Sequence, residues 1–418
     1  MPAWVGWLLL LPWALLLWRL EARTHFLGDG TVWLDTIGLG YPNPFTEALA
    51  AAVWRGYASV LRSNGVMINP ATAGLLPIFL GVIAAPLFWG IASEITPKGG
   101  SRAAAFAVLA TMGLAQLYFG YIESYPVVSV AILGYLWLGL RRARGADHPI
   151  WVALALAVAI ASHLSCVLLA PSFLALLLRD KRPWPGRAAL ALVPPAVTAP
   201  LFVLLGYPPS RWLGALRTAA QAVESGHESA LYARPYAAVS LNHAWDVLNA
   251  IFLALPVPAI LLLTALAGAA ARSRGSSGPP TPALARDTPT RVGILADPAA
   301  IFLALAALPG LLLAAVLVLP VAPAQDWDLR AILLLPLGVF GVKAGFSIPK
   351  LSIRGTRAVG IAMLGAGALF SFVLVNANEK SGLRRYETLV GPGAKITAFG
   401  RAYGNEVLAT YDADRGDF

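Results

Sequence analysis

Long apolar runs dominate this sequence, and they restrict what it can fold into. Ten such runs are separated by shorter polar segments, and a helix needs about 20 mostly apolar residues to cross a bilayer. Only 12% of the 418 residues are charged and the mean hydropathy is +0.69, whereas soluble domains are about 25% charged. The pattern predicts an all-α, polytopic membrane protein. We expect one helical bundle over residues 1–376 and a short tail at 377–418.

One apolar run, at 150–178, is too long for a single comfortable span, and basic residues flank it on both sides. Its centre reads ASHLS at 161–165, which supplies polar residues for a turn. We therefore expect two short helices that meet near His163, and eleven spans in total. The runs that predict these spans are 3–18, 75–93, 103–119, 125–140, 150–178 in two parts, 188–206, 247–270, 299–322, 331–348 and 358–376.

The basic residues are unevenly distributed between the two sets of loops. With the N-terminus inside, five loops fall on the cytoplasmic side and hold 16 of the 31 Lys and Arg residues, while the short connections on the other face hold none. This is the asymmetry of the positive-inside rule. It accounts for much of the net charge of +10 without a nucleic-acid partner. The five loops are 94–102, 141–149, 179–187, 271–298 and 349–357.

The same topology places two long loops, 19–74 and 207–246, and the tail on the non-cytoplasmic side. The first long loop contains the amphipathic stretch EALAAAVWRGYASVLRS, which is suited to lie along the membrane interface. We expect an integral protein of a bacterial inner membrane with its functional face toward the periplasm or exterior.

Several common types of site are excluded by the residues present. The single cysteine, Cys166, excludes an intramolecular disulfide and a Cys-rich metal site. The sequence has no GxxxxGK[ST], HExxH or GxSxG motif, so ATP hydrolysis, zinc proteolysis and a serine-hydrolase elbow have no support.

Acidic and histidine side chains instead collect at the ends of spans on the predicted outer face. Such residues are costly near hydrocarbon and tend to face a bundle interior or a water-filled cavity, so they predict a functional site. They are Asp29 in FLGDG, Glu123 in GYIESYP, His163 in ASHLS, His243 and Asp246 in LNHAWD, and Asp326, Asp328 and Arg330 in QDWDLR.

Three of these residues also have simpler structural explanations. Asp29 lies between two glycines, where an acid can bond its own backbone in a turn. Glu123 fits an interfacial carboxylate held by the hydroxyls of neighbouring tyrosines. His163 fits a cap of a short helix.

The remaining five residues have alternatives as well. His243 and Asp246 are three residues apart, so on a helix they share a face and are placed to bind a metal or to orient each other. Asp328 and Arg330 fit an interfacial ion pair. Asp326 fits the cap of the tenth helix.

The order of spans and acids resembles the GT-C superfamily of integral-membrane glycosyltransferases, which includes protein O-mannosyltransferases and aminoarabinose transferases. The resemblance rests on a first span, a long outer loop with an early acid (FLGDG), a second acid just after the third span (GYIESYP) and many further spans. FGYIESYP, ASHLSCVLLAPSF, LNHAWDVLN and QDWDLRA are also similar to segments of bacterial membrane proteins placed near that superfamily. The resemblance covers residues 1–376.

The resemblance implies a glycosyltransferase whose donor is a sugar on a polyprenyl phosphate, used at the non-cytoplasmic face. It makes Asp29 the candidate general base, with Glu123 assisting, since the acceptor must lose a proton as it attacks. The departing lipid phosphate needs donors, for which Arg330, His163 and His243 are suited. The other substrate-binding candidates are Asp246, Asp326 and Asp328.

A divalent cation, Mg²⁺ or Mn²⁺, is chemically compatible with carboxylates such as Asp29 and Glu123, because both ions prefer oxygen ligands. Some GT-C relatives need no metal, so the resemblance leaves both possibilities open.

Two other classes of function remain as alternatives. In a transporter or flippase of a lipid-linked glycan, the same acids would bind a headgroup without cleaving it. Lys343, inside the tenth span, favours this hypothesis, although a lysine near the end of a span can also reach the interface. The third class is a catalytically silent membrane assembly protein.

Overall fold

Every regular element in the described part of the chain is helical. The structure, a computed structural model, describes residues 3–39, 45–96, 101–211, 214, 236–274, 297–318, 326–348, 353 and 355–415. The α-helices are α1 Ala3–Arg19, α2 Gly30–Leu39, α3 Ala48–Ser63, α4 Pro70–Ala73, α5 Leu75–Ile95, α6 Ser101–Ala110, α7 Tyr125–Ala143, α8 Pro149–Ser162, α9 Ala170–Leu178, α10 Trp184–Leu204, α11 Leu241–Ala254, α12 Pro256–Arg274, α13 Pro298–Val316, α14 Trp327–Phe346, α15 Thr356–Asn376, α16 Glu379–Val390 and α17 Ala398–Arg415. Single 3-10 segments lie at Phe45–Glu47, Gly113–Tyr118 and Leu164–Leu169.

Five of the helical segments in the described ranges are long and apolar enough to cross a membrane, and a sixth span results if α11 and α12 count as one. The expected all-α integral membrane bundle is thus confirmed, while the number of eleven spans stays a prediction. The five segments are Pro70–Ile95, Trp184–Leu204, Pro298–Val316, Trp327–Phe346 and Thr356–Asn376.

The long apolar run at 150–178 divides as expected. Helix α8 ends at Ser162, His163 is extended, and a 3-10 turn leads into α9. Arg142, just before α8, pairs with Asp180, just after α9, with 2.8 Å between Nη2 and Oδ2. Both ends of this segment therefore meet at one end of the bundle, and the predicted reversal near His163 is confirmed.

Two predicted spans are interrupted, contrary to expectation. The run at 103–119 forms α6 and then a separate 3-10 segment at Gly113–Tyr118. The run at 247–270 is divided into α11 and α12, whose axes are bent by 109°. The break falls at Leu255, directly before Pro256, because a residue that precedes proline is disfavoured in the α-helical conformation.

The same end of the bundle as the Arg142 pair carries further ion pairs between loops. Glu94 at the end of α5 pairs with Arg144 at 3.3 Å, and Lys343 near the end of α14 pairs with Asp297 at 2.9 Å. The described ends of four of the loops predicted to be cytoplasmic thus lie at one end of the bundle. Lys343 has a structural partner there, which removes the feature that favoured a transporter.

Helix α14 is the centre of the bundle and contacts α6, α7, α11, α12 and α13. Small residues permit this close packing: a Cβ atom at Gly341 would lie 2.4 Å from the backbone oxygen of Pro258 in α12. Close backbone approach through small residues is typical of helix packing in membranes. The polar residues at the start of α14 are consequently held among other helices.

Helix α3 is the amphipathic stretch of the first long loop. Its apolar face, which includes Trp54 and Ala58, is buried and packs against α2, α7 and α8. This face thereby covers the end of the bundle at which α7 begins, next to Glu123.

Candidate active site

Separate segments bring five carboxylates to the end of the bundle opposite the loop ion pairs. Asp29 lies between α1 and α2, Glu47 directly precedes α3, and Glu123 lies two residues before α7. Asp326 directly precedes α14, and Asp328 lies in its first turn. We call these five residues the acid cluster. Burial raises the pKa of Glu123 well above its usual range, and the charges of nearby members of the cluster add to the rise.

Glu123 is the most closely held member of the acid cluster outside α14, with 3% of its surface exposed. Its Oε1 accepts the backbone N–H of Asp29 at 3.1 Å, and its Oε2 accepts that of Ser124 at 2.6 Å. Its backbone oxygen accepts the indole N–H of Trp54 at 2.9 Å. The hypothesis of an interfacial carboxylate held by tyrosine hydroxyls is therefore wrong. Glu123 instead fixes the backbone that presents Asp29.

Asp29 is the solvent-accessible member of the acid cluster. Its Oδ1 accepts the hydroxyl of Tyr403 from α17 at 3.0 Å, so it does more than close a turn with its own backbone. Its surroundings remove part of its water and raise its pKa, while the bond from Tyr403 opposes the rise. The other oxygen of Asp29 has no hydrogen-bond donor among the described residues. Such a carboxylate is placed to accept a proton from a substrate.

The C-terminal segment packs against the first long loop. Phe26 stacks on Tyr386 of α16 with 5.1 Å between ring centroids, and Tyr411 of α17 meets Phe26 edge-on at 4.9 Å. These aromatic contacts hold α17 where Tyr403 reaches Asp29. The tail predicted at 377–418 therefore forms one wall of the site as far as it is described.

Gly28 lies where three parts of the chain converge. The hydroxyl of Tyr121 donates to Oδ2 of Asp328 at 2.7 Å and also contacts the backbone oxygen of Leu27 at 2.9 Å. A Cβ atom on Gly28 would lie 2.4 Å from that hydroxyl and 2.6 Å from Oδ2 of Asp328, and the φ of Gly28 is +71°. Only glycine satisfies both requirements.

We expect Gly28→Ala to destabilise the protein by about 2–5 kcal/mol, since it adds crowding to a strained backbone. Gly65→Ala is the matched control, because Gly65 has the same φ of +71° but nothing within 4 Å of an added Cβ. The loss of stability in the control measures only the cost of placing a Cβ atom on a residue with positive φ, which is about 1–2 kcal/mol. Melting in detergent measures both, and equal losses would show that Tyr121 and Asp328 move aside at no cost.

Glu47 and Asp326 are acids whose pKa is raised toward neutral pH. Burial raises the pKa of Glu47 to about 7, with a contribution from the charge of Asp29. Burial likewise raises the pKa of Asp326 to about 7; the charge of Asp29 adds to the rise and Arg330 opposes it. Asp326 occupies the N-cap position of α14 but makes no capping hydrogen bond with its side chain. The expectation that Asp326 caps this helix is thus wrong.

The shift at Glu47 predicts a pH dependence of stability. A carboxyl with a raised folded-state pKa stabilises the fold fully below its unfolded pKa of about 4.5, and this contribution is lost as pH rises to about 7. Wild type should therefore lose folding free energy between pH 4.5 and 7, and in Glu47→Gln this loss should be smaller by up to about 3 kcal/mol. Melting temperatures across pH 4.5–8 measure it. Glu387→Gln, which removes an exposed acid from α16, is the control, and identical curves for Glu47→Gln and wild type would contradict the prediction.

Among the three candidate phosphate donors, Arg330 is the one that is always charged. The Nδ1 of His243 also lacks a partner among the described residues, but a neutral imidazole whose Nε2 donates has no proton at Nδ1. Arg330 is 0% exposed, and its Nη2 donates to the backbone oxygen of Leu317 at 2.9 Å. Its Nε and Nη1 have no hydrogen-bond partner among the described residues. Asp328 bonds to Tyr121 and to the backbone of Leu329 instead, so the expected ion pair between Asp328 and Arg330 does not form.

His163 has the structural role that its position suggested. Its Nδ1 accepts the backbone N–H of Ser165 at 3.1 Å and so caps the 3-10 turn. Its Nε2 lies 3.9 Å from Oε1 of Glu47. Burial lowers the pKa of His163 to about 4, so the ring is neutral at pH 7. His163 is a neighbour of Glu47 in this site and not a cation for a phosphate.

His243 and Asp246 share a face of α11 but have different partners. The Nε2 of His243 lies 2.7 Å from the backbone oxygen of Ala315 in α13. Asp246 accepts a hydrogen bond from the hydroxyl of Tyr236, and its charge acts on Arg330. The two side chains therefore do not orient each other.

The carboxylates do not form an evident cation site. No group of three or more His, Cys, Asp or Glu residues that could hold a metal ion occurs in the described parts of the chain. Both carboxylate oxygens of Glu123 accept backbone N–H groups, which favours a positioning role for Glu123 over metal coordination.

The sequence patterns did not predict three residues of the site, although all three lie within conspicuous motifs. Glu47 begins the amphipathic stretch EALAAAVWRGYASVLRS, Tyr121 lies in GYIESYP, and Tyr403 lies in the tail segment GRAYGNE. Their importance comes from interactions with residues 76 to 374 positions away, which no local pattern reveals.

The described bundle is that of an integral membrane protein, and its fold resembles that of GT-C membrane enzymes. Over 97% of its length, the structure is similar to ArnT from Cupriavidus metallidurans bound to undecaprenyl phosphate, with a TM-score of 0.52, 14% identity and 70% of that chain covered. It is also similar to the apo oligosaccharyltransferase of Archaeoglobus fulgidus, with a TM-score of 0.51 and 14% identity over 97% of this chain and 60% of that chain. Both are GT-C glycosyltransferases. No protein-family model and no curated protein matches the sequence.

Proposed function

We propose that the protein is a membrane glycosyltransferase that moves a sugar from a polyprenyl-phosphate donor to an acceptor at the non-cytoplasmic face. The observation that carries this proposal is the accessible carboxylate of Asp29, which is held by Glu123 and Tyr403 within a GT-C-type fold. A similar structure that is described as bound to undecaprenyl phosphate supports the choice of donor.

The proposed reaction is a displacement at the anomeric carbon of the donor sugar. A hydroxyl or amine of the acceptor forms a bond to that carbon, the bond from the carbon to the phosphate oxygen breaks, and the polyprenyl phosphate leaves with the electron pair. The proton of the acceptor passes to Asp29. A raised pKa suits Asp29 to this role, because a general base works best when its pKa is near the working pH.

The buried acids keep the charge of the site on Asp29. Burial, together with the charges of nearby acids, raises the pKa of Glu123 well above its usual range. Like charges close together resist ionising at the same time, so a buried acid that holds its proton more tightly favours a charge on the accessible Asp29.

Arg330 is the residue that we propose for the departing phosphate. Phosphate and guanidinium form short, charge-assisted hydrogen bonds, and two nitrogens of Arg330, Nε and Nη1, have no partner in the described structure. Its position beneath Asp326 in the first turn of α14 places it at the same end of the bundle as Asp29. Buried, preoriented donors of this kind stabilise charge that develops in a transition state.

Release of polyprenyl phosphate tests the proposal. Purified protein in lipid is supplied with a panel of polyprenyl-phosphate sugars, and the free polyprenyl phosphate is quantified. Release from at least one donor is the expected result. Movement of intact donor across the bilayer without release would establish the flippase alternative, and binding without release or movement would leave an assembly role.

A further inference from the structure

A second candidate site lies at the end of the bundle opposite the acid cluster. A cavity of about 570 Å³ is bounded there by the C-terminal ends of α7 and α9, by the loop that follows α9 and by Pro298 at the start of α13. Helix α7 has 19 residues and is therefore about 28 Å long, with Glu123 near its other end. The cavity is thus separate from the acid cluster, and the proposed glycosyl transfer does not use it.

The lining of this cavity carries a net charge of about three positive units. Four of its side chains are basic, and the only acid among its lining residues is Asp180. Asp180 is buried; it pairs with Arg142 at 2.8 Å and accepts the backbone N–H of Arg182 at 2.9 Å. The side chains of Arg179 and Lys181 are exposed and make no hydrogen bond or ion pair with the described residues.

Arg182 also lines the cavity, but its guanidinium is engaged within the protein. Its Nη1 is buried and lies 3.6 Å from Asp180, and its Nη2 contacts Nε2 of His148. Asp180 therefore holds the loop in place, while the exposed side chains of Arg179 and Lys181 remain for a ligand. Arginine and lysine are the usual partners of phosphate groups, and the volume lies within the range of small-ligand sites.

The surroundings of the cavity favour a phosphate that belongs to a lipid. Leu176 contributes to the lining, and two large apolar residues beside it, Leu178 and Trp184, are 69% and 67% exposed. The guanidinium of Arg187 lies over the Trp184 ring at 5.7 Å. In a membrane protein, tryptophan and arginine at such positions mark the level of the lipid headgroups.

We infer that this cavity binds the phosphodiester headgroup of an anionic phospholipid, with Arg179 and Lys181 as its ligands and the acyl chains along Leu178 and Trp184. Basic pockets between helices on the cytoplasmic side of membrane proteins bind such headgroups. The bound lipid would fill the space between the ends of α7, α9 and α13, so its binding should also stabilise the bundle.

The test compares lipid binding by wild type and by the double variant Arg179→Gln and Lys181→Gln. Protein in neutral detergent is titrated with phosphatidylglycerol, with phosphatidylcholine and with inorganic phosphate, and bound lipid is counted by native mass spectrometry alongside the melting temperature. We expect wild type to bind and to be stabilised by phosphatidylglycerol alone, and the double variant to bind it about 30-fold more weakly. Lys380→Gln with Arg384→Gln removes the same charge from the exposed face of α16 and should bind as wild type does.

Two results would overturn the inference. Equal binding of phosphatidylglycerol by wild type and by the Arg179 and Lys181 variant would show that the lipid binds elsewhere. Stabilisation by inorganic phosphate at the same concentrations would show that the cavity takes a soluble anion and not a lipid headgroup.

Discussion

Asp29→Asn is expected to reduce the release of polyprenyl phosphate by about 10²- to 10⁴-fold, the usual contribution of a general base. The amide has nearly the same shape as the carboxylate and can keep the bond from Tyr403, but it cannot take the proton of the acceptor. Donor binding should change little, because Asp29 acts on the acceptor. The rate and the donor affinity are measured in the release assay with lipid-embedded protein.

The matched control for this prediction is Asp35→Asn, which removes an exposed acid from the neighbouring helix α2. It should keep wild-type release. Wild-type activity should also rise with pH through the raised pKa of Asp29, since only the ionised carboxylate accepts a proton. Full release by Asp29→Asn would refute the role of Asp29 without refuting donor cleavage.

Arg330→Met should lower release by about 10²- to 10³-fold, because a buried, preoriented cation is removed from the charge that develops on the departing phosphate. Methionine fills much of the volume but supplies no donor. It also leaves the backbone oxygen of Leu317 without its hydrogen bond, which costs about 1–3 kcal/mol of stability. The two effects are separated by measuring turnover per folded molecule and the melting temperature.

A second basic residue of the same helix provides the control for Arg330. Lys343→Met removes the ion pair with Asp297 at the opposite end of α14, so it should reduce stability but not turnover per folded molecule. Arg330→Lys should recover only part of the rate, since lysine lacks the planar fork of donors. Added undecaprenyl phosphate should inhibit wild type more strongly than Arg330→Met. Equal inhibition of the two would place the phosphate away from Arg330.

A failure of the role proposed for Arg330 can be distinguished from a failure of the proposal for the lipid cavity. The Arg330 variants act on release of polyprenyl phosphate, whereas the Arg179 and Lys181 variant acts on retention of a bulk phospholipid at the opposite end of the bundle. Neither measurement depends on the other.

Local composition was sufficient to predict where the chain is apolar and where it reverses. The polar centre of the run at 150–178 and its two basic flanks predicted the turn at His163, because charged flanks and a hydrophobic length limit act over a few residues. The same reasoning missed the 109° bend at Leu255, since a proline inside an apolar run reads as part of a span when hydropathy alone is counted.

The candidate site divides in the same way. Asp29 and Glu123 were predicted because acids at the ends of apolar segments are costly and therefore conspicuous. Their mutual arrangement was not predicted: Glu123 supports the backbone of Asp29, and Tyr403 reaches Asp29 from 374 residues away. Likewise, Arg330 was one of three equal candidates for the phosphate until the partners of His163 and His243 were known.

The sequence by itself determined the all-helical membrane bundle, the location of the acids at its segment ends and the resemblance to GT-C enzymes. The first two features depend on hydropathy, length and charge, and the resemblance depends on short motifs such as FLGDG and GYIESYP. All of these are local properties of the chain. Only the tertiary structure decided which acid is accessible, which acids have a pKa raised by burial, and which nitrogens of Arg330 lack a partner. Those properties depend on burial and on contacts between distant segments, because the environment of a charge, and not its position in the sequence, sets its chemistry.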